Sequence, residues 1–453
     1  MNVNSLVGHI LELTELTDKS SEPADQVASK FFRQKSYLGA GDRRFISEGF
    51  FGIIRHRRLI EALLEEYVRQ KPQESSLDAP HVRYLSLYVA YSLLDPVRGT
   101  TTAEPDPGQS FPHRIDALWN SFFPESDLAS YILWLREHRR LDFLPESGPG
   151  GELLRLAVEY SFQDWMVREW DLQFGGDLEK LLRSLNTPAK LTLRVNGLKV
   201  GREECRKRLA GEGIDTEPTA FSPAGLVASK RFNSQASAAF KDGWYEVQDE
   251  GSQLISLIAE PQPGSMILDA CAGAGGKALH LADLMKGKGT IFAADAGRSR
   301  IDELDQRARR AGAKNIQAVT EGHSLPDVFR ADLVLVDAPC TGAGTIRRNP
   351  WIKWRVTEDS VAKYAEKQRN LLHANSRFVK EGGVMMYVTC SLLRGENEEV
   401  VGSFLAAHSG FQVERIEPRA CPPSMITPEG FVKMLPHDAG TDGFFAAKLV
   451  RTP

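Results

Sequence analysis

The sequence predicts an α/β fold: a doubly wound parallel sheet preceded by an all-helical region and a small mixed segment. Three observations carry that prediction. From about Gly251 onward, short apolar runs alternate with helical segments, the pattern of strands buried on both faces. The first of these runs passes through a glycine-rich stretch straight into a helix. Before them, apolar residues recur at three- and four-residue spacing, the period of amphipathic helices.

At 453 residues the chain exceeds one ordinary core and calls for two or three domains. The helical region spans 1–145. Phe45, Ile46, Phe50, Ile53 and Ile54 follow Asp42, read as an N-cap, and Leu59, Leu63, Leu64 and Tyr67 continue the apolar face until Lys71-Pro72 ends it. Further helices are expected over Val82–Leu94 and Leu128–Arg136. Gly99–Gln109 reads as a loop, and Pro145–Gly151 as a linker. A small α+β domain over 152–245 follows, with a helix opening at Ser161–Trp165, a strand at Leu191–Asn196 and a charged helix at Glu203–Leu209. The last domain, 246–453, holds the apolar runs Met266–Asp269, Thr290–Asp295, Ile316–Thr320, Asp332–Asp337 and Val384–Thr389.

With 42% hydrophobic and 26% charged residues, the composition is that of a soluble globular protein. No apolar run reaches the roughly 20 residues of a membrane span, and the first residues lack the basic and small-residue marks of a signal peptide. Five cysteines are scattered, odd in number and never in a CxxC pair, which points away from disulfides and a metal site and towards a reducing cytoplasm. The net charge of -4 offers no general attraction to nucleic acid. Basic groups do cluster at Arg55–Arg58 and at Arg347-Arg348 with Lys353 and Arg355, where a solvated surface is the ordinary reading.

The run Met266–Asp269 enters Ala270-Cys-Ala-Gly-Ala-Gly-Gly-Lys277 and a helix at Ala278–Met285. Glycines at such a turn let a ligand approach the helix N-terminus. Gly273-x-Gly275-x-x-Ala278 fits a dinucleotide fingerprint nominally. A P-loop fails, because Cys271 stands where glycine is required and Ala278 where Ser or Thr is required. The third reading is a methyl-donor nucleotide site, and Asp295 would take ribose hydroxyls under either nucleotide reading.

Asp337-Ala-Pro-Cys340 and Val388-Thr-Cys390 each lie just past an apolar run. Ligands of open α/β sheets bind outside the carboxyl ends of the strands, so both thiols should face one crevice. A chemistry that uses such thiols is methylation at carbon 5 of cytosine, where a thiolate adds to carbon 6 and makes carbon 5 nucleophilic. Asp337 would contact ring nitrogen 3 or the exocyclic amine. One thiol would attack and the other assist release; the residues alone leave their order open. The segment Thr341–Arg355 mixes glycines, four basic side chains and two tryptophans, which suits RNA phosphates and stacked bases. Burial of the tryptophans as anchors is the competing reading.

Cys271–Lys277, Asp337–Cys340, Ile346–Pro350, Ile352–Trp354, Thr389-Cys390-Ser and Glu396-Asn-Glu398 together resemble the RNA 5-methylcytosine methyltransferases, in particular bacterial enzymes of small-subunit ribosomal RNA. Arg194-Val-Asn196 and Val247–Ser252 resemble that family's lead-in, and Asp42–Arg58 resembles the helical NusB-like domain fused to it. The resemblance implies a Rossmann-like, seven-stranded class I methyltransferase domain, S-adenosyl-L-methionine as donor, and an RNA partner without metal or membrane. A monomer is expected. It implies Cys390 as nucleophile and Cys340 as the thiol that helps release product. It carries cofactor contacts to Cys271, Ala272, Gly273, Ala274, Gly275, Gly276, Lys277, Asp295 and Asp337, with Glu321 as the acid for the adenine amine. The family's turn has Pro where this chain has Ala274, and Thr where it has Ala278. A transfer RNA methyltransferase, an RNA-binding assembly factor and an NAD-dependent oxidoreductase are the alternatives.

Overall fold

The computed structural model describes residues 2–79, 83–94, 115–138, 141–144, 150–320, 325–326, 328–417 and 421–453. The expected loop Gly99–Gln109, the linker residues 145–149, Val82 and the candidate Glu321 lie outside that set. The chain forms two compact units, Met1–Thr187 with Asn349–Arg355, and Pro188–Arg348 with Val356–Pro453.

The first unit carries helices and no strand among the described residues. Asp42 is not the N-cap its position suggests. The helix Ala40–Arg55 starts after Gly39, and Asp42, three residues in, reaches back to accept the Gly39 N–H at 3.3 Å. The apolar face read as one run belongs to two helices, Ala40–Arg55 and Arg57–Gln70, broken at His56. The second helix finds a cap from elsewhere in the chain: Leu59 N–H donates to Ser161 Oγ at 3.0 Å. Arg57 binds Asp18 at 2.7 Å and Glu61 at 3.1 Å, and Arg58 binds Asp164 at 2.7 Å. Burial holds the His56 pKa well below the usual histidine value, with Lys353 and Arg55 acting the same way. The basic run Arg55–Arg58 is therefore internal structure more than a solvated patch.

The second unit holds two sheets. In the smaller, β1 (Thr192–Val195) lies between β3 (Gly225–Ala228) and β4 (Tyr245–Val247), and β2 (Thr216–Pro218) edges β3, all antiparallel. The larger contains β5 (Met266–Asp269), β6 (Thr290–Asp295), β7 (Ile316–Thr320), β8 (Ala331–Asp337), β9 (Val379–Thr389), β10 (Phe411–Val413), β11 (Val432–Met434) and β12 (Phe444–Arg451). Seven of them follow the order β10-β12-β9-β8-β5-β6-β7, and β11 adds an eighth beside β12. The five strands from β9 through β7 in that order are parallel; β12 runs antiparallel to β9. This is the expected Rossmann-like sheet with an antiparallel extension.

Alternation explains the unbroken apolar runs. Leu333 and Leu335 of β8 point into one core with Ile267, Met386 and Val388; Val334 and Val336 point into the opposite core with Leu268, Met385 and Tyr387. From β5 the chain steps to β6 and β7 on one side and then to β8 and β9 on the other. That reversal opens a crevice at the carboxyl ends of β5 and β8.

Candidate active site

The crevice begins at Asp269, the last residue of β5, which is 1% exposed. Ala270 N–H donates to Leu335 O and Ala272 N–H to Ala294 O, so the turn grows out of the sheet's own ladder. Gly275 then takes φ +84° as N-cap of the helix Gly276–Leu284, and a side chain there would meet Leu304 Cγ at 2.7 Å. Conformation and space both demand glycine. Asp295, ending β6, accepts Gly273 N–H at 3.0 Å through one oxygen and Gly297 N–H at 2.7 Å through the other.

Lys277, in the first turn of that helix, donates to Asp337 at the end of β8 at 2.5 Å. Burial works against its ammonium, but Asp337 outweighs burial and raises the Lys277 pKa. Asp269 goes the other way for a carboxylate. Burial, then the charge of Asp337, push it up to about 7, with Lys277 only partly offsetting them. Burial and then Asp269, Asp337 and Asp295 push the Cys271 thiol up to about 12, so it stays protonated and inert. Three carboxylates thus share the crevice with one lysine.

Both candidate thiols converge. Cys340 lies three residues past β8 and Cys390 one residue past β9, and parallel pairing of Asp337 with Val388 sets the two ends side by side. The sulfurs are 3.4 Å apart. The loop after Cys340 is stitched to the other: Gly344 N–H donates to Cys390 O at 2.9 Å, and Gly443 N–H to Gly344 O at 2.8 Å. A Cβ at Gly344 would fall 2.2 Å from Gly443 O, so this approach also requires glycine. The hydrogen bond to Cys390, then burial, raise the Cys340 pKa well above the usual thiol value. Cys340 therefore keeps its proton at neutral pH, and either sulfur can donate across the contact. Cys205 and Cys421 are buried in separate clusters, their thiols pushed up by burial to about 12 and about 11.

The reading of Thr341–Arg355 as an RNA-contacting segment is corrected. Arg347 is 6% exposed and donates to Gly440 O at 2.7 Å and Thr441 O at 3.0 Å. Arg348 binds Asp442, and Asp249 at 2.6 Å. Trp351 sits in the core of the first unit, and Trp354 Nε1 donates to Ile54 O at 2.8 Å. Lys353 is fully buried, with Nζ bonded to Arg55 O, Tyr160 O and Asn186 Oδ1 at 2.9, 3.1 and 2.5 Å. Burying the aromatic and aliphatic surface and satisfying the Arg347, Lys353 and Trp354 donors internally outcompetes exposure. Arg348 and Arg355 are the exposed residues of this segment.

Several supporting contacts escaped sequence reading: Arg194, Gln248 and Glu396 stood there only as parts of matched motifs, and Glu246, Arg307 and Gln368 not at all. Arg194 and Gln248 are buried behind the glycine turn, Arg194 Nη1 donating to Gly276 O at 2.6 Å. Arg307 donates to Ala274 O at 2.8 Å while Glu246 binds both Arg307 and Arg310. Glu396 and Gln368 are fully buried beside the cysteine loops. Gln368 did leave a signal, a polar residue on the same helical stripe as Ala365 and Leu372.

Among the described residues no group of side chains could hold a metal ion, and no helix is long and apolar enough to cross a membrane. The family model for 16S rRNA methyltransferase RsmB/F matches residues 256–450, and that for the RsmF/B-like ferredoxin-like domain matches 162–235. A probable ribosomal RNA small subunit methyltransferase B of Synechocystis is 31% identical over 92% of this chain and 93% of its own. One from Bacillus subtilis is 36% identical over 65% of this chain and 67% of its own. The crystal structure of PH0851 matches with a TM-score of 0.75 at 28% identity, over 100% of this chain and 99% of that one. With its strand order, its paired strand-end thiols and a relative 31% identical over nearly its whole length, the chain belongs to the RsmB/F family of 16S rRNA methyltransferases.

Proposed function

We propose that this protein transfers the methyl group of S-adenosyl-L-methionine to carbon 5 of a cytosine in small-subunit ribosomal RNA, in the cytoplasm, through a bond between Cys390 and carbon 6. The observation that carries the reading is the pair of sulfurs at 3.4 Å beside the Lys277–Asp337 ion pair. The donor fits the crevice's charge: Asp269, Asp295 and Asp337 against Lys277 leave a negative excess suited to a sulfonium and an ammonium. When bound, it supplies an electrophilic methyl group.

The chain's own groups do the rest. Asp337, held by Lys277, accepts from the exocyclic amine or the protonated ring nitrogen 3 and stabilises the ring once Cys390 has added to carbon 6. That addition makes carbon 5 nucleophilic towards the methyl group. After transfer a base removes the carbon 5 proton, the electron pair returns to the ring, and the bond from carbon 6 to sulfur breaks. Cys340, protonated and 3.4 Å away, donates its hydrogen bond to the departing thiolate. In this reading Asp295, fixed by Gly273 and Gly297, takes the ribose hydroxyls, residues 271–277 line the donor's site, and Glu321 takes the adenine amine.

Incubation with methyl-labelled S-adenosyl-L-methionine and small-subunit RNA, followed by nucleoside analysis, tests this. Label in 5-methylcytidine is expected. Label in any other nucleoside, or none in ribosomal RNA with label in transfer RNA, overturns it.

A further inference from the structure

The two cysteine loops are joined by one buried anion. Glu396 is 0% exposed and sits in a turn after β9. One carboxylate oxygen accepts Thr341 N–H at 2.8 Å and Gln368 Nε2 at 3.1 Å. The other accepts Thr341 Oγ1 and Ser391 Oγ, each at 2.5 Å. Thr341 directly follows Cys340, and Ser391 directly follows Cys390. Gln368 Nε2 also donates to Pro339 O at 3.0 Å, on the other side of Cys340. The next residue, Asn397, accepts from Thr389 Oγ1 at 2.5 Å and donates to Ser391 O at 3.0 Å, so it brackets Cys390. Tyr387 OH donates to Glu396 O at 2.5 Å and fixes the backbone from which both side chains project.

Four donors, from two loops and the helix behind them, thus meet on one side chain. A carboxylate can accept all four; a neutral amide of the same shape must turn an NH₂ group towards some of these donors. Desolvating a charge this deeply is costly unless it is fully hydrogen-bonded, so the arrangement is tolerated only because every donor points inward. The same contacts leave each loop little freedom beside its sulfur.

We propose that Glu396 is a positioning residue that holds the loops of Cys340 and Cys390 in register, setting the separation and aim of the two sulfurs. The proposal deepens the cysteine–cytosine reading and rests on it for its catalytic consequence. Its geometric half is testable without that reading. Small displacements of reacting groups are costly, so loosening this tie should slow covalent addition while donor binding, built on the other side of the crevice, persists.

The test compares wild type with Glu396→Gln, Glu396→Asp and Ser391→Ala as full-length chains. In the first assay diamide takes two electrons and two protons from the thiols, forming a Cys340–Cys390 disulfide and the reduced hydrazine; mass spectrometry follows the rate. In the second, small-subunit RNA transcribed with 5-fluorocytidine traps the protein–RNA adduct in the presence of S-adenosyl-L-methionine. In the third, calorimetry measures affinity for S-adenosyl-L-methionine. For Glu396→Gln, adduct formation should fall about 100-fold and disulfide formation about tenfold, with donor affinity changed less than about threefold. Glu396→Asp, which keeps the charge but not the reach, should recover part of both rates. Ser391→Ala removes one donor from one loop and should give an intermediate loss; if Glu396→Gln does not fold, this variant decides alone. Disulfide formation at the wild-type rate in the variants, or donor affinity and adduct formation lost in parallel, overturns the proposal. Wild type that forms no adduct overturns the cysteine–cytosine reading, and the disulfide rates still decide whether Glu396 sets the sulfur geometry.

Discussion

The two sides of the crevice are held by opposite means. On the glycine-turn side, cationic side chains from behind grip backbone carbonyls: Arg194 on Gly276 O and Arg307 on Ala274 O. On the cysteine side, the anion Glu396 grips an N–H, two hydroxyls and an amide. The first mode is indifferent to which side chains the turn carries; the second depends on Thr341 and Ser391 by identity. A turn held in this way tolerates Ala274 and Ala278, the two positions at which the sequence departs from the pattern its resemblance implies. Ala278 is 0% exposed and packs in the core, so that position answers to space and not to ligand chemistry. The cysteine side allows no such latitude.

Four experiments press on that contrast, from the largest expected effect to the smallest. Asp337→Asn should lower single-turnover methyl transfer about 1000-fold, because a preorganised charge partner of the reacting ring is lost; a loss below about tenfold would remove Asp337 from the chemistry. Arg194→Ala should cost about 3 kcal/mol of stability in denaturant unfolding, since it leaves the buried Gly276 carbonyl and Gln248 without their cation. Donor affinity should weaken with it, whereas adduct formation at saturating donor should not. Lys353→Met should cost about 2 kcal/mol through its three orphaned acceptors, with the salt dependence of RNA binding unchanged. A shallower salt slope would restore this segment as an RNA contact.

The smallest effect is in pH. Asp269 is raised to about 7 in the folded chain, above the unfolded value near 4. The folded state therefore binds that proton more tightly, and the stabilisation it brings is complete below about pH 4 and lost as the pH rises through about 7. Asp269→Asn, which mimics the neutral acid, should gain stability relative to wild type between roughly pH 5 and pH 8. A difference that does not change with pH would contradict the assignment.

The parts of the fold legible in the sequence were those where one local pattern meets one environment. β5, β8 and the second half of β9 announce themselves because both faces are covered and nearly every residue must be apolar. β12 is harder to read, since Ala446-Ala447-Lys448-Leu449 suits a helix equally well; only its pairing with β9 makes it a strand. β2 and β4, three residues each, carry no usable period. Cys340, Cys390 and Asp337 could be brought together from the sequence because strand ends point at one crevice, and Lys277 because the glycine turn leads from β5 into its helix. Their relative geometry was not, nor was the buried carboxylate between their loops, whose partners are 5 to 55 positions away in sequence. Trp351 and Lys353 misled for the same reason: an aromatic and basic segment reads as a nucleic-acid contact until the residues that bury it are known.

The central claim is the division of labour between the two thiols. Electrophoresis under denaturing, non-reducing and reducing conditions after incubation with small-subunit RNA and S-adenosyl-L-methionine measures it directly. Cys340→Ala should accumulate a reduction-resistant protein–RNA adduct, while Cys390→Ala should form none and transfer no methyl group. An adduct in the Cys390 variant with none in the Cys340 variant would contradict the account and reverse the roles.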